Sequence, residues 1–229
     1  MSKVVSTEIM VISPIDATCF GPMVPKGKKD WQPVHLRQGS MDGACGLYSL
    51  MMGLIICGVV NYEDACSITI FSNTEIKKLL DYLGRSNPLL KFGMNLDEMY
   101  TAVREYCQKQ IDCQGFKGKG EYLLNIIEPY ILDNYPVLLL IDIEGIGHWV
   151  LVVGCEYKKR HGKKGKMCRL LVLDPVEETP TMCSWNGAID VRNQRGKYPY
   201  RWWVTDQKVQ LAYALVIWPA KEERRIPYR

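Results

Sequence analysis

Residues 136–157 read PVLLLIDIEGIGHWVLVVGCEY, and this stretch decides the predicted fold. It holds two apolar, β-branched segments that are too short for typical helices and that flank a bend containing glycine. We therefore predict two adjacent strands here, and two later segments have the same character. The four predicted strands are 137–143, 148–157, 167–174 and 211–218.

The chain before Pro136 is predicted to be mainly helical. From Cys45 onward, apolar residues recur at spacings of three and four, which places them on one face of a helix. Asp42 is the predicted cap of this helix and Gly58 its predicted end. Further amphipathic helices are predicted at 74–84, 96–109 and 120–134. Because helices and strands are segregated along the chain, we predict an α+β fold, with N-terminal helices packed against a C-terminal antiparallel sheet.

The chain has the length and composition of one globular domain. Its 229 residues are 47% hydrophobic and 24% charged, and they can bury a full core without a metal or a disulfide. Neither an internal repeat nor a low-complexity linker divides the sequence, so we predict a single domain over 1–229. Its predicted parts are an extended lead-in at 1–37 with a short strand near 4–12, a helical half at 38–135 and a β half at 136–229.

Composition and charge narrow the classes of partner. No apolar run reaches the roughly 18 residues that a membrane-spanning helix requires, and the N-terminus lacks a secretory pattern. Nine cysteines without framework spacing indicate a reducing compartment, so we predict a cytoplasmic protein or one delivered by a signal-less export route. The net charge of +4 does not imply nucleic acid. The basic hairpin at 158–169 supplies much of this excess, and such a run is usually a solvated turn, less often a docking site for an acidic partner.

The segment 38–46, QGSMDGACG, carries the candidate chemistry. A thiol is nucleophilic as the thiolate, and the first turn of a helix, where Cys45 is predicted to lie, favours a negative charge. Gly43 and Gly46 would let a substrate backbone approach the sulfur closely. The alternative is that Cys45 is one more buried thiol among the nine cysteines.

An activated cysteine needs a base, and the chain contains three histidines. His161 lies among lysines in the predicted turn, and His35 lies in the lead-in, where we expect a surface position. His148 is different, because it begins a predicted strand directly after a glycine-rich bend. A histidine at the start of a strand faces a cleft more readily than a core, so we predict His148 as the base.

The register of one hairpin predicts the partner of His148. If the strands at 148–157 and 167–174 pair across a turn centred near residue 162, the numbers of opposed residues add to about 324. Asp174 is then opposite Val150 and on the same face as His148, where its carboxylate would orient the imidazole. An odd error in this register would move Asp174 to the other face, and Asp142 is its main rival.

The numbers of Cys155 and Cys168 add to 323, within one of this register, so we expect the two residues to face each other near the turn. Together with His161 they give a weak metal-site pattern, but four closely spaced ligands are not visible in the sequence. A pair of free thiols is the simpler interpretation. We therefore predict neither a metal nor another cofactor.

Gln38 completes the candidate site. It lies seven residues before Cys45, and its amide, with the backbone N–H of the nucleophile, could donate hydrogen bonds to a tetrahedral oxyanion. The order of Gln, Cys at a helix start, His at a strand start and Asp-Pro after the next strand resembles the papain-like cysteine peptidases. The likeness is closest to the bacterial branch that processes bacteriocins with double-glycine leaders, although their Gln usually lies six residues before the Cys.

This resemblance implies a papain-like fold and a role for each candidate residue. Cys45 would be the nucleophile, His148 the base and acid, Asp174 the orienting carboxylate and Gln38 the oxyanion donor. The expected function is a cysteine protease that hydrolyses a peptide or isopeptide bond in a protein or peptide substrate. Alternatives are an acyltransferase or transglutaminase-like enzyme with the same triad, a non-catalytic binding module and a cell-wall peptide amidase. We expect no nucleic-acid or membrane partner.

Overall fold

A computed structural model of the chain describes residues 6–39, 43–66, 74–86, 93–158, 165–192 and 195–220. Within those ranges the strands are β1 Thr7–Val11, β2 Asp16–Thr18, β3 Gly21–Lys26, β4 Asp30–Pro33, β5 Ile111–Lys117, β6 Val137–Ile143, β7 Ile146–Lys158, β8 Met167–Leu173, β9 Gly187–Asp190, β10 Tyr200–Trp202 and β11 Gln207–Pro219. The helices are α1 Cys45–Ile56, α2 Tyr62–Cys66, α3 Thr74–Ser86, α4 Leu96–Tyr106 and α5 Glu121–Leu132.

Six antiparallel strands close into a barrel. Hydrogen-bonded neighbours follow the order β7, β6, β11, β10, β9, β8, and β8 pairs with β7 again, which completes the ring. Two further strands extend this sheet, since β1 pairs with β7 and β5 pairs with β11. Strands β2, β3 and β4 form a separate three-stranded sheet from the lead-in.

The predicted α+β fold of papain-like type, with helices packed against a C-terminal sheet, is wrong. The structure is mostly β, with about 26% helix, because the antiparallel sheet closes on itself. Two of the strands that close it, β9 and β10, have only four and three residues. Segments that short do not show a recognisable period-two pattern. Strand β5 was also missed, because it lies between helices and is stabilised by pairing with the distant β11.

Most of the predicted elements are nevertheless present. The three later helices are confirmed with slightly different ends, as are the four strands, and β1 confirms the short strand expected near residues 4–12. Cys45 is the first residue of α1, as expected, and Gly58 follows the helix with a positive φ of 70°. The predicted cap, Asp42, lies outside the described residues.

Helix α1 is held tightly against the barrel. It packs on β7 and β6, and most of its residues are buried. A Cβ atom added at Gly53 would lie 2.7 Å from Ile217 Cδ1 of β11, so glycine permits the close approach. The hydroxyl of Ser49 donates a hydrogen bond to the backbone carbonyl of Trp149 at 3.2 Å. These contacts fix the start of α1, and with it Cys45, relative to β7.

Candidate active site

Cys45 lies where the first turn of α1 meets β7. The residue is buried, with 7% of its surface exposed. The backbone N–H of Trp149 donates to Cys45 Sγ at 3.5 Å. The positive end of the α1 dipole lies at this sulfur and favours a negative charge on it. Both features suit a thiolate.

The structure brings His148 and Asp174 to Cys45. His148 Nε2 lies 2.8 Å from Asp174 Oδ1, and the Cys45 side chain interacts electrostatically with the same imidazole. The side chains of His148 and Asp174 are only 14% and 3% exposed. A thiol, an imidazole and a carboxylate therefore lie together in a largely desolvated site.

The electrostatics of this site favour a charged imidazole on His148. Burial alone would lower the pKa of His148. Its hydrogen bonds to the Asp174 carboxylate and the Cys45 sulfur outweigh that effect, and they raise this pKa to about 10. The arrangement is therefore suited to an imidazolium held against the Asp174 carboxylate.

The predicted register explains why Asp174 reaches His148. Leu151 pairs with Leu173 and Val152 with Val172, so opposed residue numbers add to 324, as the sequence predicted. Continuing the same register places Asp174 opposite Val150 and on the face of His148. The expected contact is thus present, and its cause is the length of the β7–β8 hairpin.

Asp142, the alternative to Asp174 as partner of His148, has another role. Asp142 Oδ1 accepts a hydrogen bond at 2.7 Å from the backbone N–H of Gly145 in the turn between β6 and β7. Asp142 also pairs with Gly147 in the sheet. Of the two carboxylates, the one within hydrogen-bond distance of the imidazole is that of Asp174.

Register shifts farther along the hairpin contradict the expected cysteine pair. Between Val152 and Gly154 the pairing moves by one residue, so Cys155 is opposite Leu170 and not Cys168. His161, the third member of the weak metal pattern, lies outside the described residues. In the part of the chain that the structure describes, no group of three or more His, Cys, Asp or Glu side chains could hold a metal ion.

Gln38 lies beside the end of β8. Its backbone N–H donates to the carbonyl of Pro175 at 2.8 Å, and the residue is half-buried. This bond ties the segment before Cys45 to the residue that follows Asp174. The role of Gln38 as oxyanion donor stays a prediction.

Two residues behind the triad, His35 and Asn186, were not predicted to belong to the site, and the expected surface position of His35 is wrong. His35 is 2% exposed, and its Nε2 lies 2.8 Å from the carbonyl oxygen of Asp174. Burial lowers the pKa of His35, which favours its neutral form. Asn186 also binds the backbone of Asp174. The flanking apolar residues Val34 and Leu36 are a signal that could have predicted burial of His35, whereas no sequence pattern marks Asn186.

The basic hairpin is partly accounted for by pairing within the fold. Its residues 159–164 lie outside the described residues. Arg169 forms an ion pair with Glu156 on the neighbouring strand, and its guanidinium lies 3.9 Å from the centre of the Trp203 ring. Docking of an acidic partner to this hairpin stays a prediction.

The evidence for the function of this protein is the geometry of the site. No protein-family model and no curated protein matches the chain. Among the described helices, none is both long enough and apolar enough to cross a membrane. The likeness to cysteine peptidases is therefore a likeness in the order and spacing of motifs.

Proposed function

We propose that this protein is a thiol hydrolase that cleaves an amide bond in a peptide or protein substrate. One observation carries the proposal: the His148 imidazole binds the Asp174 carboxylate at 2.8 Å, and the Cys45 sulfur lies beside it, bound by the backbone N–H of the next residue, Trp149. A nucleophile, a base and a group that orients the base are the set that covalent catalysis requires.

The proposed reaction proceeds through a thioester. The Cys45 thiolate attacks the substrate carbonyl and forms a C–S bond, and the negative charge passes to the carbonyl oxygen. As the C–N bond breaks, the His148 imidazolium gives its proton to the leaving amine. Water then attacks the thioester while His148 removes its proton, and the acid product and the Cys45 sulfur are released. The backbone N–H of Cys45 and the Gln38 amide are the proposed oxyanion donors.

A purely structural role for these groups is energetically unfavourable. Burying a carboxylate and an imidazolium costs several kcal/mol per ion, and apolar residues of similar volume would pack the same space at less cost. Strongly perturbed titratable groups are concentrated at functional sites. The buried pair of His148 and Asp174, next to a thiol at a helix start, fits that pattern.

The proposal also includes a substrate class and a cellular location. The predicted substrate is a peptide or protein, and cytoplasm, or delivery by a signal-less export route, is predicted because the nine cysteines lack disulfide-framework spacing. The same residues could pass the acyl group to an amine in place of water. Adding a primary amine to the reaction and analysing the products by mass spectrometry separates hydrolysis from transfer.

The chain contains internal references for testing the nucleophile. Cys19 and Cys66 are exposed free thiols, whereas Cys45 is buried. We expect iodoacetamide to alkylate Cys45 faster than either exposed thiol at pH 6, where ordinary thiols are protonated. His148→Ala should abolish this preference, and the matched variant His161→Ala should retain it. The rates are measured by quenched labelling and peptide mass spectrometry.

Cleavage provides the second measurement. We expect a library of internally quenched peptides to be cleaved by the wild type and by Cys66→Ala. Cys45→Ala should lose at least about 10³-fold in kcat/KM. Alkylation of Cys45 no faster than that of Cys19, together with no effect of His148→Ala, would contradict the proposal.

A further inference from the structure

The backbone of Asp174 is held by side chains from two distant parts of the chain. We propose that Asn186 and His35 are positioning residues that fix this backbone so that the Asp174 carboxylate stays on His148, an inference that rests on the proposed function. Neither residue is one of the three groups, thiol, imidazole and carboxylate, to which we assign the chemistry. They act through Asp174 and are not themselves catalytic residues.

Asn186 replaces a missing strand partner. Strand β8 ends at Leu173, so Asp174 lies just beyond the ladder. The backbone N–H of Asp174 donates to Asn186 Oδ1 at 2.7 Å, and Asn186 Nδ2 donates to the Asp174 carbonyl at 2.9 Å. The backbone N–H of Asn186 in turn donates to the carbonyl of Val172 at 3.1 Å. One amide side chain therefore satisfies both backbone groups of Asp174, as a neighbouring strand would.

His35 adds a second donor to the same carbonyl, and its tautomer follows from the contacts. The Asp174 carbonyl can only accept, so His35 Nε2, at 2.8 Å, carries the proton. His35 Nδ1 then accepts from the hydroxyl of Thr179, 2.9 Å away. Asn186 Nδ2 lies 3.1 Å from His35 Nε2, but it has the carbonyls of Asp174 and Glu178 as acceptors and needs no bond to the ring. The neutral Nε2–H form satisfies every group in this cluster.

The carboxylate itself is fixed separately from its backbone. The N–H of Val176 donates to Asp174 Oδ1 at 3.0 Å, and this is the same oxygen that binds His148. Rotation of the side chain is thus restrained by the turn that follows it. Asn186 and His35 restrain the position of the main chain from which the side chain extends. Because a displacement of about 1 Å can reduce a rate by about 10²-fold, a loosened backbone should impair the triad while leaving its residues in place.

The test uses substitutions that each remove one of the two side-chain donors to the Asp174 carbonyl. Asn186→Asp keeps the acceptor for the Asp174 N–H but loses the donor to its carbonyl. His35→Ala loses the other donor, and His35→Gln restores an amide N–H near the position of Nε2. Asn125→Asp, on the exposed side of α5, is the matched control for the first change.

Two readouts on the full chain separate positioning from general stability. We expect kcat of peptide cleavage to fall by about 10- to 100-fold in Asn186→Asp and His35→Ala, with KM changed less than about twofold. His35→Gln should recover most of the loss. The Nε2 proton of His148, followed by ¹H–¹⁵N NMR without substrate, should move upfield in the two impaired variants as its bond to Asp174 weakens. Urea denaturation at 25 °C confirms that each variant is folded.

The NMR measurement distinguishes the failure of this inference from the failure of the proposed function. If the wild type cleaves no peptide but the His148 resonance shifts in His35→Ala and recovers in His35→Gln, the positioning role holds and the hydrolase proposal fails. If folded variants keep both the wild-type kcat and the wild-type His148 resonance, Asn186 and His35 only stabilise the fold and the inference is wrong.

Discussion

The bond between Asp174 and His148 predicts a specific change in the acid–base behaviour of the site. Asp174→Asn removes the negative charge but keeps an oxygen that can accept from His148 and from the N–H of Val176. The change is therefore electrostatic with little alteration of shape. It isolates the contribution of the carboxylate charge to the imidazolium.

The size of the effect follows from the contacts of His148. Its pKa is raised from 6.5 to about 10, against the effect of burial, by Asp174 and Cys45 together. Removing an opposite charge at hydrogen-bond distance shifts a pKa by about 1–3 units. We therefore expect the pKa of His148 to fall by that amount in Asp174→Asn. On the alkaline side, the activity of Asp174→Asn should then be lost at a correspondingly lower pH than that of the wild type.

The same shift makes stability depend on pH with a defined sign. A histidine whose folded-state pKa is raised contributes stability that is fully present below 6.5, its unfolded value, and is lost as the pH rises through about 10. In Asp174→Asn this loss should be complete at a lower pH. Urea denaturation at a series of pH values between 6 and 11 measures the difference.

NMR titration of the three histidines is the direct assay. The ring resonances of His148 are assigned by their loss in His148→Ala and followed from pH 5 to pH 11. Asp142→Asn is the matched control, because the Asp142 carboxylate binds a turn N–H and does not bind the imidazole. An unchanged pKa of His148 in Asp174→Asn, or an equal shift in Asp142→Asn, would refute the reasoning.

Three further predictions concern how the barrel holds the site, each measured as the free energy of unfolding in urea. A Cβ at Gly154 would lie 2.5 Å from the backbone oxygen of Met10, so Gly154→Ala should cost about 1–3 kcal/mol and speed amide exchange in β1; unchanged exchange in β1 would contradict this. Trp149→Phe removes the indole N–H that donates to the carbonyl of Met94 at 2.7 Å, and this change should cost about 1–3 kcal/mol. A cost near zero would contradict this prediction. Leu151→Ala empties a fully buried position and should cost about 2–5 kcal/mol, against less than about 1 kcal/mol for Leu151→Met.

The candidate site was more predictable from the sequence than the fold, for physical reasons. The contact between Asp174 and His148 depends on one hairpin whose turn is delimited by the sequence, so counting residues along two strands was sufficient. The count stayed correct because the two register shifts cancel, so that the pairs Tyr157–Met167 and Leu151–Leu173 both add to 324. The prediction for Cys155 and Cys168 was wrong because their numbers add to 323, whereas the pairs in this part of the hairpin add to 325.

Closure of the barrel depends on interactions that are distant in sequence and locally weak. Strand β9 is four residues long, and it is recognisable only through its pairing with β8 and β10. The structure of the lead-in was equally hard to predict from local sequence. Its strands β2 to β4 pair mainly with one another, and His35, which follows them, is buried only because the chain folds back onto Asp174. Periodicity within one segment contains no information about either contact.

The way the barrel closes explains why a site can form at this end of β8. A strand that ends at an edge would leave the backbone groups of its last residues to solvent. Here β8 lies between β7 and β9, so Asp174 receives His148 from one neighbour and Asn186 from the other. Closure therefore supplies both the partner of the carboxylate and the clamp on its backbone, and Cys45 is brought to them by the docking of α1 on β7.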